Sequence, residues 1–442
     1  MKHKTIEKSS SIVANFQKQF GQFEESLNGG RQLAFHQTRK NAIEKFAATG
    51  LPSTRNEEWK YTNIAPMFKE NYLMPSAVTE LAPEEIEQYK YKAQKGPLLV
   101  FVNGIFSEKL SSVEQQAGVL IRNMKDALGE ADSSVASHIG KYIADMDDPF
   151  VALNTAFTSQ GTFIEIESGV QLEDPIHILN VSTANGGRFS ATPRTLIICG
   201  ENSEAHIIES YHAAAGSEYL NNAVTEILVA KNANLEHVKI QEESLKSCHI
   251  ASTTVRQQRD SRFSSVSIDL GGALVRNNLN IHLDDENCEA NLYGFFLGTG
   301  NRLIDNHTFI DHANPHCESN ELYKGILDDR SKGVFNGKVM VRPDAQKTNA
   351  FQENKCLLLT ADAAMNAKPQ LEIFADDVKC SHGATVGQLD ADALFYLRSR
   401  GVNQENANSL LRYAFASDVF QKIKIGAVRE KLEAIVFAHF GN

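Results

Sequence analysis

The chain of 442 residues carries 44 basic and 55 acidic side chains, a formal net charge of −11, and an apolar share of 42%. This acidic balance, with no basic stripe interleaved with aromatic residues, argues against nucleic acid as a partner. The longest apolar runs are far too short to span a bilayer and the amino terminus lacks a secretory h-region, so we predict a cytoplasmic protein with no membrane partner.

The six cysteines are widely scattered and include no C-x-x-C pair. In the cytoplasm we expect them to be thiols, and their spacing argues against a self-contained zinc knuckle or a thioredoxin-type site.

Residues 1–155 are predicted to form a helical and mixed amino-terminal domain. Apolar residues recur at three- and four-residue spacing in LAFHQTRKNAIEKFAATGLP, where Gly50 and Pro52 supply a carboxyl-terminal stop. A second, more polar helical stretch, APEEIEQYKYKAQ, precedes the strand-like GPLLVFVNGIF.

Residues 156–388 show a period of two, which predicts successive short strands. Apolar and polar residues alternate in SSVSIDL and in NNLNIHL, and no convincing helical period intervenes, which argues against a Rossmann-type sheet. ENSEAHI at 201–207 and ENCEANL at 286–292 match closely, with NANLEHV at 232–238 as a fainter copy. Repeated turn-plus-strand units favour a solenoid, although these residues alone leave other all-β architectures open.

Residues 389–442 return to a helical period. Asp390 is a predicted N-cap, Gly401 a predicted C-cap, and Asn403 a predicted cap of a longer second helix. A third helix is predicted over AVREKLEAIVFAHF, so the predicted fold is mainly β with helical domains at both ends.

Two glycine-containing motifs are rejected as nucleotide sites. GVFNGKV at 333–339 is too short for the phosphate-binding loop pattern, and GFFLGTGN at 294–301 fits tight turns between strands better. We therefore predict that the chain has no ATP site of its own.

A group of His307, His312, His316 and Cys317 lies within eleven residues. His312 and His316 could share one face of a strand, but Pro315 interrupts the extended run. We favour a structural role for this group over a metal site.

The stretch KCSHGATVGQ holds the main candidate site, Cys380 and His382. If the strand of QLEIFADDV continues through this stretch, both side chains project from one face, and Gly383 is expected to let the chain bend away. A thiolate and an imidazole form half of a tetrahedral zinc or iron site. A distant ligand such as Cys356 or a second chain would have to complete it, and a buried cysteine beside a turn histidine stays open as the structural alternative.

Long blocks of this sequence resemble the SufB/SufD family of the SUF iron–sulfur cluster assembly system. They are KPQLEIFADDVKCSHGATVGQLDADALFYLRSRG, LYKGILDDRSKGVFNGKV, PHC and, near the amino terminus, GLPSTRNEEWKYTN. The His-Gly step in CSHGAT places the chain with the SufD branch, since SufB-like chains typically have His-Glu there.

The resemblance implies a right-handed parallel β-helix between helical terminal domains. It also implies pairing with a SufB-like paralogue through the β-helix and docking of a SufC-like ABC ATPase onto residues 390–442. Family members can self-pair through the β-helix edge in place of SufB, so a monomer and a homodimer both stay open for the isolated chain. His382, and with less support Cys380, would then help hold a transient iron–sulfur cluster or iron at the SufB–SufD interface, with no cofactor tightly bound to the isolated chain.

The function expected on this basis is that of a non-catalytic scaffold subunit. One alternative is a carbohydrate-active β-helix enzyme that uses Asp376 and Asp377, but adjacent strand residues point to opposite faces. The other is a purely structural subunit in which Cys380 and His382 are packing residues.

Overall fold

A computed structural model describes residues 2–27, 30, 34–75, 79–92, 95–114, 116–129, 134–183, 187–214 and 216–440. Over these residues the protein is mainly β, with a parallel β-solenoid of about eight turns flanked by helices. The predicted fold class and the order helix, β, helix are confirmed.

The helices are α1 Lys2–Ser26, α2 Phe35–Thr49, α3 Pro83–Glu87, α4 Met124–Gly129, α5 Ser134–His138, α6 Pro149–Phe157, α7 Ala391–Ser399, α8 Gln404–Phe420 and α9 Gly426–Phe440, with a single 3-10 turn at Glu57–Trp59. The strands are β1 Leu98–Val102, β2 Ile105–Phe106, β3 Val119–Asn123, β4 Gly161–Ile166, β5 Ile176–Ser182, β6 Phe189–Ala191, β7 Arg194–Cys199, β8 Glu204–Ala213, β9 Tyr219–Val229, β10 Asn234–Glu242, β11 Cys248–Gln257, β12 Arg262–Asp269, β13 Leu274–Leu283, β14 Glu289–Gly298, β15 Leu303–His312, β16 Glu318–Leu327, β17 Lys332–Val341, β18 Asn349–Leu358, β19 Ala364–Ile373 and β20 Lys379–Gly387.

Successive strands of the solenoid alternate between two sheets. The first sheet has the order β2-β1-β5-β8-β10-β12-β14-β16-β18-β20, and the second runs β19-β17-β15-β13-β11-β9-β7-β4-β3, with β6 beside β9. Neighbouring strands are parallel except β1 with β2 and β3 with β4. At the far end of the solenoid β20 and β19 are therefore the last strands of their sheets.

Turns that enter the strands of the first sheet repeat the same backbone conformation. Asn202, Asn232 and Asn287 have φ of 58°, 55° and 59° in the left-handed region, which asparagine tolerates better than most residues. The Asn232 amide donates to the Asn202 side-chain oxygen of the preceding coil at 2.9 Å. The repeated sequence units thus mark corresponding turns of different coils.

The interior between the sheets is divided along the strands. Apolar side chains from both sheets, among them Leu235, Phe263 and Ile281, fill one part. The other part holds buried polar side chains in hydrogen-bonded groups, such as Glu209 with His237 at 2.9 Å. Such groups are stable inside a protein only when they are partnered.

Helices cover the outer faces of both sheets. Helices α1, α2 and α6 pack on the second sheet through an apolar cluster that includes Phe46, Phe157 and Leu274. Helices α8 and α9 pack on the first sheet through Phe420 and Val436. Burial on both faces is characteristic of parallel sheets.

The predicted helix ends at Gly50, Asp390, Gly401 and Asn403 agree with the structure, whereas the helix predicted over APEEIEQYKYKAQ is formed only at Pro83–Glu87 among the described residues. Gly50 ends α2 at φ 67°, Asp390 caps α7 by accepting from two backbone amides, and Asn403 caps α8. Gly401, at φ 91°, follows α7 as a C-terminal glycine. The domain boundaries at 155/156 and 388/389 stay a prediction. Strand β1 lies within the predicted amino-terminal domain but pairs with β5 in the first sheet of the solenoid.

Two local expectations around the candidate site are wrong. QLEIFADDV does not run on into KCSHG, because β19 ends at Ile373 and a turn in which Ala375 is buried carries the chain across to β20 in the other sheet. The chain also does not bend at Gly383, because the pairing of β20 with β18 continues to Gly387.

Candidate functional site

Cys380 and His382 lie on one face of β20, as the alternation predicted. That face points into the solenoid, since Cys380 packs against the interior apolar cluster and is paired in register with the buried Ala350 of β18. His382 is two residues farther along and is paired in register with Gln352. No strand follows β20 in its sheet among the described residues, so His382 faces the open end of the interior and is exposed.

The Cys380 thiol has mostly apolar surroundings. It is half-buried, and burial raises the pKa of this thiol from its ordinary value, while a backbone hydrogen bond at Ala350 opposes part of the increase. A raised pKa leaves less thiolate, the form that binds metals. Of the two predicted ligands, His382 is the more accessible.

Gln352 and Glu321 stand behind His382 on the two preceding coils of the same sheet. The register pairs Glu321 with Gln352 and Gln352 with His382, so the three residues form one column on the interior face. Neighbouring strands are about 4.8 Å apart, which makes Gln352 the next residue inward from His382. The Gln352 amide donates to a Glu321 carboxyl oxygen at 2.6 Å.

Glu321 is 4% exposed, and no cationic side chain is hydrogen-bonded to its carboxyl within the described part of the chain. Burial raises its pKa to about 7, although hydrogen bonding with Thr308 and Gln352 opposes this increase. A buried carboxyl with a strongly perturbed pKa costs stability and is more frequent at functional sites than elsewhere. The sequence analysis missed this residue and Gln352, because only the register between coils brings them to His382.

A groove with a volume of about 640 Å³ lies beside this column on the outer face of the same strands. Outward side chains line it, including Tyr293, Phe351, Glu353 and Lys422. Glu321, Gln352 and His382 also border the groove, so it adjoins the strands that carry the column.

The structure does not bring the other proposed ligands to the site. Cys356 is buried in β18 and paired with Val386, four residues along the strand from His382. Asp376 and Asp377 lie in the turn between β19 and β20, where Asp377 is paired with Lys347. Neither aspartate forms an acid pair inside the solenoid.

The structure places the members of the histidine group at 307–317 on different faces, and its favoured structural role stays a prediction. His307 points outward and contacts Asp305 at 3.0 Å, whereas His312 points inward and is hydrogen-bonded to Ser319 at 2.8 Å. His316 occupies a turn position with φ of 61°. Within the described ranges, no group of three or more His, Cys, Asp or Glu side chains is arranged to hold a metal ion.

A second exposed surface lies on the carboxyl-terminal helices. Phe395, Tyr396 and Phe437 are 73%, 57% and 50% exposed, although aromatic side chains of this size are usually at least partly covered. Lys324 of β16 holds α8 on the solenoid through an ion pair with Asp418 and a hydrogen bond to the Phe415 carbonyl at 3.0 Å. No helix in the described ranges has the length and apolar character needed to cross a membrane.

Comparisons with known proteins agree on one family. Residues 181–415 match the model of the SufBD core domain of the SUF system for iron–sulfur cluster assembly, and residues 10–178 match that of the SufBD amino-terminal region. An iron–sulfur cluster assembly SufBD family protein of Synechocystis is 32% identical, over 90% of this chain and 89% of its own. The SufD proteins of Escherichia coli and Bacillus subtilis are 30% and 24% identical, over 89% and 90% of this chain and 90% and 92% of theirs.

Proposed function

Because the chain belongs to the SufBD family of SUF iron–sulfur cluster assembly proteins, we propose that it is a non-catalytic scaffold subunit that pairs with a SufB-like paralogue and a SufC-like ABC ATPase. The observation that carries this proposal is the position of His382. It lies on the interior face of the last strand of the first sheet, where a second chain can complete the set of ligands.

The pairing surface for the SufB-like paralogue is proposed to be the open end of the solenoid. The outer edges of β19 and β20 have no strand partner among the described residues, and unpaired edges readily accept another strand. Phe351, Phe374 and Val386 add apolar surface nearby, with exposures of 47%, 61% and 44%. Pairing there would place ligands of both chains beside His382, and Cys380 remains a candidate second ligand.

The docking surface for the SufC-like ATPase is proposed to be the exposed aromatic surface of α7 and α9. ATP-driven dimerisation of the ATPase would then twist the attached pair and open or close their interface, where iron and sulfide meet as substrates. On this proposal the chain works in the cytoplasm and contributes structure and one or two ligands, while the ATPase supplies the energy.

Replacement of His382 by alanine tests the ligand role. In a complex co-expressed anaerobically with both partners, we expect iron and sulfide per complex to fall about tenfold or more, the scale on which changes around metal sites act. The complex itself should still assemble, because the exposed side chain of His382 contributes little to folding.

The matched control is Ser381→Ala, which changes the opposite face of the same strand. Unchanged iron and sulfide in His382→Ala would reject the ligand role and leave the scaffold role. Failure of the wild-type chain to form any complex with the two partners would reject the scaffold role.

A further inference from the structure

The interior column behind His382 contains a buried amide oxygen that has no hydrogen-bond partner in the described part of the chain. Gln352 is 3% exposed, and its Nε2 donates to Glu321 while its Oε1 has no hydrogen-bond partner among the described residues. A buried amide oxygen without a hydrogen-bond partner destabilises the folded chain, so native proteins rarely retain one without a functional reason.

Two neighbours fix the Gln352 amide in this arrangement. The Glu321 carboxylate accepts from Nε2, which leaves Oε1 as the free end of the amide. On the facing sheet Gly337 provides the room, because a side chain built on Gly337 would collide with the Gln352 amide. The glycine of GVFNGKV therefore allows the amide to occupy the solenoid interior.

His382 is the residue paired with Gln352 on the open side of the column. Because neighbouring strands are about 4.8 Å apart, an imidazole nitrogen on one strand and an amide oxygen on the next can bind the same ion. Imidazole, amide and carboxylate groups suit divalent first-row cations such as ferrous iron. By contrast, the residue paired with Cys380 is Ala350, which offers no donor atom in its side chain.

We propose that the Gln352 amide oxygen is a second ligand beside His382 for a divalent first-row cation, and that Glu321 is the positioning residue that orients the amide. This inference rests on the proposed role of His382 as a ligand. The pair binds iron as the free divalent ion, before sulfide arrives, and ligands of the partner chain complete the coordination.

The test uses the complex with both partners, purified anaerobically and titrated with ferrous iron alone, without sulfide or a sulfur donor. Gln352→Leu keeps the size of the side chain and removes the oxygen, and Glu321→Leu removes the group that orients the amide. We expect each to lower the affinity for ferrous iron about tenfold or more, while Ser381→Ala binds as the wild type does. Because Glu321→Leu leaves the buried Nε2 of Gln352 without its acceptor, its thermal unfolding midpoint should fall slightly, and a variant with the two side chains exchanged separates this cost from loss of the ligand.

A rescue variant separates ligand loss from damage to the coil. In Glu321→Gln with Gln352→Glu the two side chains are exchanged, so an amide at 321 can donate to a carboxylate at 352 whose second oxygen faces His382. We expect this double variant to bind ferrous iron at least as tightly as the wild type.

The outcomes distinguish this inference from the proposed function. If Gln352→Leu binds ferrous iron normally while His382→Ala does not, Gln352 is not a ligand and the role of His382 stands. If neither change weakens binding, both ideas are wrong. Equal loss in Ser381→Ala, or no recovery in the exchanged variant, would indicate a general disturbance of the coil and would also overturn the inference.

Discussion

Cys380 differs from the other five cysteines because it is only half-buried, whereas the rest are buried in the solenoid. Its side chain packs against the interior apolar cluster at the last coil, and this packing is what raises its pKa. The alkylation rate of the Cys380 thiol therefore indicates whether the end of the solenoid is open or covered.

We expect Cys380 to be the first cysteine alkylated in the native isolated chain. Its reaction should be slower than that of a free thiol at neutral pH, because a raised pKa reduces the thiolate fraction. Peptide mass spectrometry after iodoacetamide treatment measures this order, and Cys380→Ser should leave the native chain almost unlabelled.

The same labelling tests the proposed pairing surface. Addition of the SufB-like partner should protect Cys380 if that partner covers the last coil. Alkylation of Cys380 at an unchanged rate in the complex would place the partner elsewhere.

Strand alternation alone predicted that Cys380 and His382 share a face, because the side-chain period of a strand is two. It could not predict Gln352 or Glu321, which lie about 30 and 60 positions earlier in the chain. Their approach depends on the register between coils, and a shift of one residue would turn them outward.

At the scale of elements, the turn around Trp59 joins the amino-terminal helices to the second sheet. The Arg276 guanidinium lies 4.2 Å from the ring centroid of Trp59 and donates to the Glu58 carbonyl and to Asp305, each at 2.7 Å. Asp305 also accepts from the Thr62 hydroxyl. The motif RNEEWKYTN is thus an anchor on the outer face of the solenoid.

Arg276→Ala should destabilise the protein by about 3–5 kcal/mol, because it leaves the buried Asp305 without its cation. Trp59 is the only tryptophan, so its fluorescence should shift to the red as the anchor loosens. Chemical denaturation followed at this fluorescence measures both effects. Arg259→Ala, which removes exposed ion pairs, is the control and should cost less than about 1 kcal/mol.

Acid should loosen the same anchor. Burial alone would raise the pKa of Asp305, but Arg276 and His307 outweigh it and hold the pKa at about 2. Since this pKa is depressed on folding, the stabilisation is present above the ordinary value of 3.8 and is lost as the pH falls toward 2. A Trp59 signal that is unchanged between pH 4 and pH 2 would contradict this assignment.

The repeated turns show why the solenoid was only partly predictable. The asparagines of ENSEAHI and ENCEANL were visible in the sequence, but equivalent turns are occupied by Asp260, His316 and Lys347. All three have positive φ, yet they share no side-chain type. The turn conformation recurs in every one of these coils, whereas the residue type at the turn varies. The number and register of the coils could therefore not be predicted from the sequence.

At the scale of the whole molecule, helices pack on opposite faces of the β-solenoid, and no described helix covers the end formed by β19 and β20. The carboxyl-terminal helices are held to the first sheet through Phe420 and Lys324, on the same sheet that carries His382. A force applied to these helices is therefore transmitted to the sheet that carries the candidate site.

Exchange of Phe395 and Tyr396 for serine tests the proposed ATPase docking surface. Both side chains are largely exposed, so folding should be little affected, while affinity for the SufC-like ATPase should fall at least about tenfold if they anchor it. Surface plasmon resonance measures the affinity, and Leu245→Ser, at an equally exposed site on a solenoid turn, is the control. Normal binding by the double variant would exclude this surface.

The open last coil has a consequence for the order of events in assembly. In a stack of coils each one is stabilised by its neighbours, so a coil with a neighbour on one side only is the first to open locally. Amide hydrogens of β19 and β20 should then exchange fastest within the solenoid until a second chain covers them. Because the last coil opens locally until a second chain covers it, the geometry of the ligands at His382 becomes fixed only after the subunits have met. Binding of iron at the site is thereby coupled to completion of the complex.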